Sequence, residues 1–110
     1  MFLISVQSGQ EVMSTVNAAL AERGVQNGAV VSLIGAVDAC CISNMPADDA
    51  SKDILTEYAQ PFELSGTGEI KDGKAHLHVV LGREGDAALS GHLHWARVAT
   101  FFVNAYILPL

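Results

Sequence analysis

The chain contains four histidines, all in two His-x-His pairs: His76 and His78 in AHLHVVLG, then His92 and His94 in SGHLHW. On a β-strand, residues i and i+2 lie on one face, so each pair can aim two imidazoles the same way. Between the pairs runs Gly82-Arg83-Glu84-Gly85-Asp86, a turn composition. A hairpin centred on Gly85 sets His78 opposite His92 and His76 opposite His94. Directly opposed residues have Cβ atoms roughly 4.5–5.5 Å apart. Neutral imidazole is the commonest metal ligand, and three such nitrogens hold Zn²⁺ with one coordination position left open. Four rings cannot all reach one ion from a flat surface without strain. The expected set is therefore three, with His94 the odd one out because Trp95 and the strand that follows turn it elsewhere. A His-x-His pair taken alone is equally at home on a solvated surface, and a bulge at Gly91 would break the alignment.

The elements that must position these residues follow from periodicity. Phe2 to Val6 reads as a first strand. Ser8 and Glu11 stand at capping-box spacing, and Val12, Met13, Val16, Ala19 and Leu20 recur at helical spacing, which predicts a helix to about Arg23. Gly24 sits where a C-terminal stop is wanted. Asn27-Gly28 opens a mostly buried strand from Ala29 to Val37. Cys40 to Ser43 continues as strand or bend, and Met45 to Ala50 is a polar loop. Ile54 to Tyr58 is a strand. Phe62 to Ile70 is another, in which Gly66 and Gly68 predict a bulge or close packing. Lys71-Asp72-Gly73-Lys74 is a hairpin turn leading to the histidine hairpin. Val98 to Leu108 reads as one long apolar strand, too continuous for a solvent-facing edge, serving as core or as a subunit interface. One helix followed by a run of strands is an α+β pattern with a largely antiparallel sheet.

Composition narrows the function. The 110 residues fit one domain, able to bury a core without staples. Half are hydrophobic and only 16% are charged, which leaves apolar surface of the kind that subunit contacts cover. No apolar run reaches the roughly 18–20 residues of a membrane span, and the start lacks the basic and apolar regions of a signal peptide. A cytoplasmic location is expected. Cys40 and Cys41 are neighbours that a strand points to opposite faces, so they read as small buried hydrophobes rather than a disulfide. The net charge is −6, and the six basic residues are scattered. Nucleic-acid binding works chiefly through Lys and Arg on phosphates, so direct DNA binding would need Lys71, Lys74, Arg83 and Arg97 to converge, within one chain or across an oligomer.

The segment from Phe62 onward resembles the plants-and-prokaryotes conserved (PPC) domain, in its stand-alone bacterial form. Phe62-Glu63-Leu64 with Ser65-Gly66-Thr67-Gly68, then His76-Leu77-His78, then Gly91-His92-Leu93 match the family's order and spacing. In the N-terminal half, Gly9 and Leu33-Ile34-Gly35-Ala36-Val37 match as well. The resemblance implies an α+β, PPC-domain-like fold, a homotrimer, and metal ligands at His76, His78 and His92, with zinc or another divalent transition metal bound. Ser90 replaces the family's usual first glycine before the second motif. No AT-hook, the minor-groove element of plant relatives, is present. The DNA-binding label of bacterial relatives is thus inherited, and a regulatory or DNA-associated role would run through partners. Two alternatives stand beside this reading. One is a zinc-dependent hydrolase or lyase with Glu63 as general base. The other is direct DNA binding. His94, Glu63 and Arg97 are candidate additional ligands or supports, with Arg97 able to hold an anion near the metal or to form a structural ion pair.

Overall fold

A computed structural model describes residues 1–110. The elements are β1 (Phe2–Val6), α1 (Val12–Glu22), β2 (Gly28–Val37), β3 (Ala39–Asn44), β4 (Ile54–Tyr58), β5 (Phe62–Lys71), β6 (Lys74–Arg83), β7 (Ala87–Arg97) and β8 (Val103–Pro109). All eight strands join one sheet in the order β1-β8-β2-β5-β6-β7-β3-β4, and the helix lies against one face of it. Every strand pairing is antiparallel. This is the α+β architecture that the pattern of one helix and many strands predicts.

Eleven residues make a helix too short to persist alone in water, so packing and capping must hold α1. Val12, Val16 and Leu20, four apart, form one fully buried stripe. Each contributes about 1.5–3 kcal/mol of burial as an upper bound. The N-cap is Glu11, not Ser8. Its carboxylate accepts from the backbone N–H of Met13 and Ser14, both at 2.7 Å, and from Ala96 of β7 at 3.0 Å. The start moves because Gly9, at φ +89°, turns the chain, and the amide of Gly9 bonds the carbonyl of Val98. Ser8 instead donates its hydroxyl to the carbonyl of Ala99. The helix ends on Gly24 at φ +67°, with the amides of Gly24 and Val25 returning to the carbonyls of Ala21 and Leu20.

Twenty-three buried residues form one cluster between helix and sheet. On β6, Leu77, Val79 and Leu81 belong to it. Strand alternation then fixes His76 and His78 on the outer face, where both are exposed.

The C-terminal strand is shorter than its apolar sequence predicts. Residues 98–102 bend, because Asp38 gathers that stretch. Its carboxylate accepts from the amides of Ala99 (2.8 Å) and Thr100 (3.1 Å) and from the Thr100 hydroxyl (2.7 Å). Phe101 and Phe102 are left 62% and 43% exposed, while Val103, Ala105 and Ile107 enter the core. β8 lies between β1 and β2, so it is not an edge. The edges are β1 and β4. All of β4 except Tyr58 is exposed.

The Thr100 hydroxyl, and then the Thr100 and Ala99 amides, hold the Asp38 carboxyl below its ordinary value of 3.8. The stabilisation it provides is therefore complete above that value and is lost as pH falls through the folded pKa. Asp38→Ala is expected to lower stability at pH 7 by on the order of 1 kcal/mol. Thermal melts of the two proteins should converge in acid, below the folded pKa.

Candidate metal centre

The β6–β7 turn spans Glu84-Gly85-Asp86, with Gly85 at φ +86° and Asp86 at φ +61°. Arg83 pairs with Ala87, and the ladder runs without a register shift to His78 opposite His92. Gly91 therefore causes no shift between β6 and β7. Instead it admits β3 from the other side: a Cβ there would stand 2.7 Å from the carbonyl oxygen of Ser43 and 2.9 Å from Nδ2 of Asn44. That same Asn44 amide donates to the carbonyl of Ser90 at 2.8 Å. Gly66 and Gly68 do the equivalent for β5, which has close packing and no bulge of its own against β6. A side chain at either would collide with the carbonyl of His78 or His76. From the helix, Asn17 accepts the amide of Ala75 at 2.9 Å, fixing the chain immediately before His76.

Three rings gather as a result. The His76 centroid is 4.9 Å from that of His78 and 4.7 Å from that of His92, and His78 to His92 is 5.9 Å. One nitrogen from each of His76, His78 and His92 lies within 4.8 Å of the others. A tetrahedral zinc with bonds of about 2.0–2.1 Å sets its nitrogens about 3.3 Å apart. Small side-chain rotations of two exposed rings close that gap. Nδ1 of His92 is buried and has no hydrogen-bond partner. An unpaired buried polar atom costs about 1–3 kcal/mol, and a cation among the rings would relieve it. Burial, then the neighbouring His76, His94 and His78, push the His92 imidazole below its ordinary 6.5, against an opposing pull from Asp53. His92 is therefore neutral at pH 7, the form a metal needs. The residues present fit a divalent transition metal.

His94 does not face His76. The β6–β7 ladder ends at His78 and His92, and His76 pairs with Glu69 of β5. Beyond His92, β7 turns to β3, where Leu93 pairs with Ile42 and Trp95 with Cys41, leaving His94 as the extra residue of a bulge. Its Nε2 is 2.8 Å from the hydroxyl of Ser43, a buried residue, although its ring remains 4.7 Å from that of His92.

Glu63 and Arg97 lie apart from the rings. Glu63 is exposed opposite Gly82, four residues along β5 from the Thr67 that faces His78, or roughly 13 Å at strand rise. Arg97 pairs with Ala39 and sits over the Trp95 ring at 5.7 Å, with no ion pair. The carboxylates at the site are two that sequence reasoning missed. Asp53, just before β4, lines the open cleft of about 840 Å³ that contains the three rings. Glu69 flanks them on the β5 side. A two-residue turn between Lys71 and Lys74 sets Glu69 opposite His76, a pairing legible in the sequence, whereas Asp53 sits in a loop that leaves no periodic signal.

The whole chain, residues 1–110, matches the Plants and Prokaryotes Conserved (PCC) domain. The chain belongs to that family. Among solved structures, a metal-containing protein from Archaeoglobus fulgidus is 32% identical over 99% of this chain and 78% of its own, with a TM-score of 0.79. A plant- and prokaryote-conserved protein from Pyrococcus horikoshii is 21% identical over 99% and 79%, with a TM-score of 0.76. A protein from Bacteroides thetaiotaomicron, provisionally called DNA-binding, is 21% identical over 97% and 76%, with a TM-score of 0.79. The latter two likenesses speak to the fold. Comparison with curated proteins gives no match.

Cys40 and Cys41 are both buried and free. Burial, with a smaller contribution from Cys41, raises the Cys40 thiol to about 11. Burial and Glu57 raise that of Cys41 as well. Both act as small apolar residues, protonated at pH 7. No helix is long and apolar enough to cross a membrane.

Gly91→Ala is expected to force β3 from β7. Overpacking of this kind costs about 1–3 kcal/mol, read as a lower denaturation midpoint, and it should loosen the hold on His92.

Proposed function

We propose that the chain is a homotrimeric metal-binding module of the PCC family with a regulatory or DNA-associated role exercised through partners, and that His76, His78 and His92 are its metal ligands. The observation that carries the reading is the convergence of three imidazole nitrogens within 4.8 Å, one ring holding a buried nitrogen without a partner. The 32% identical Archaeoglobus relative described as metal-containing supports it. Imidazole suits zinc, copper, iron and nickel, and zinc is the first choice for three nitrogens with an open position. His94 is the weaker candidate because Ser43 engages it. The enzymatic alternative loses its nominated base, since Glu63 stands off the site.

The apolar outer face supports the trimer. Ile34, Phe101, Phe102 and Tyr106 are exposed and line one groove together with Asn104, whose side-chain oxygen is buried and has no partner. A face of this kind is what a second subunit covers.

Direct DNA binding draws less support. Lys71 and Lys74 close one end of the β5–β6 hairpin and Arg83 lies at the other end of β6, roughly 30 Å away at strand rise. They do not converge within one chain, and the net charge is −6. DNA association through partners is consistent with relatives provisionally called DNA-binding. The cytoplasm, where thiols stay reduced, suits the two free cysteines.

Metal content and chelator competition on untagged protein test the centre. His78→Ala and His92→Ala are expected to lose more affinity than the roughly 10–100-fold typical of losing an outer partner, and His94→Ala to lose less than either. Equal losses at all three positions would overturn the ligand set. Light scattering should give three times the 11.6 kDa chain mass, and Phe101→Asp should lower it; a wild-type monomer would overturn the trimer.

A further inference from the structure

His76 differs from its two companions in what faces it. His78 and His92 oppose each other across β6 and β7, whereas His76 is paired with Glu69 across β5 and β6. Both side chains are on the exposed outer face. Directly opposed residues on one face of an antiparallel pair have Cβ atoms roughly 4.5–5.5 Å apart. A carboxylate on a two-methylene arm reaches an imidazole across that gap. Glu69, Thr67 and the rings of His76 and His78 line a groove of about 260 Å³ that adjoins the larger cleft bordered by Asp53 and shares Thr67, His76 and His78 with it.

Chemistry gives this juxtaposition a use. Imidazole has two nitrogens, and when one holds a metal the other carries a proton that needs an acceptor. A carboxylate there fixes the tautomer, sets the ring's rotation and raises its basicity. His94 finds a partner in Ser43, and Asp53 acts on His92 from the far side of the cleft, whereas the exposed His76 ring has the Glu69 carboxylate as its direct cross-strand partner. Glu69 is unclaimed, for the sole ion pair in the molecule joins Lys52 to Asp49. Gly68, next to it, lets β5 approach the His76 backbone closely. Glu63 shares strand and face with Glu69, but faces Gly82 and has no ring to orient.

We infer that Glu69 is a positioning residue of the metal centre, accepting a hydrogen bond from the His76 ring nitrogen that faces away from the ion. This rests on His76, His78 and His92 being the ligands. Glu69 makes no bond to the metal and changes no ligand number; it acts on affinity through the orientation of one ring.

Zinc affinity by chelator competition on wild type, Glu69→Gln, Glu69→Asp and Glu63→Gln tests it at fixed ionic strength, with circular dichroism to establish folding. Glu69→Gln is expected to weaken zinc by about 10–100-fold, Glu69→Asp to recover part of the loss, and Glu63→Gln, which removes the same charge from the same strand, to leave affinity unchanged. The cobalt-loaded forms should share one visible spectrum, because the ligand set is the same. In nitrogen-15 NMR the His76 ring N–H of the zinc form should shift upfield in Glu69→Gln. Equal affinities for Glu69→Gln and Glu63→Gln would overturn the role of Glu69 while leaving the ligand set standing. A cobalt spectrum altered in Glu69→Gln would overturn it differently, by making Glu69 a ligand. A wild-type protein that takes up no metal would overturn the ligand set and this inference together.

Discussion

The cross-strand ladder between β6 and β7 is the constraint on which the site depends. A three-residue turn at Gly85 fixes which residues face each other, and the ladder carries that choice seven residues inward to His78 and His92. Leu77, Val79 and Leu81 fill the core from the intervening positions, so the register cannot slip by one without exposing them. Hydrophobic burial thus enforces the placement of groups that are not themselves hydrophobic. The glycines at 66, 68 and 91 serve the same end by omission, since a side chain at any of them would push a neighbouring strand away from the rings.

Electrostatics works with this geometry. Burial first, and then the neighbouring rings of His76, His94 and His78, disfavour the protonated form of His92. That ring is therefore held in its uncharged, electron-pair-donating state at neutral pH. A surface cluster selected only for solubility would gain nothing from such crowding, nor from a ring nitrogen shut away from water and from every hydrogen-bond donor or acceptor.

Much of this was legible in the sequence, and the failures have physical causes. The β6–β7 pairing followed from turn chemistry and a midpoint, and the helix from apolar spacing. The fold class and the family followed from element order and motifs. A regular ladder sets His94 opposite His76; the bulge that removes it lies in the pairing with β3, a strand distant in sequence. Capping-box spacing puts the helix cap at Ser8, three residues before Glu11, but Gly9 turns the chain and a tie to Val98 delays the start. Phe101 and Phe102 read as part of one unbroken strand, core or subunit interface, because nothing local to them reveals Asp38, some sixty residues earlier, holding the adjoining backbone in a bend.

The sheet is open, and its borders are unlike: β1 at one end, β4 at the other. Each presents unpaired backbone donors and acceptors along one side, and β4 adds the bare side chains of Ile54 and Leu55. Unlike borders join head to tail rather than face to face. A molecule built this way carries within its own topology the means of endless strand addition. A turn angle that brings the last copy back to the first, a covering over one border, or the shortness of both edge strands, five residues each, keeps such a sheet from growing into a fibre.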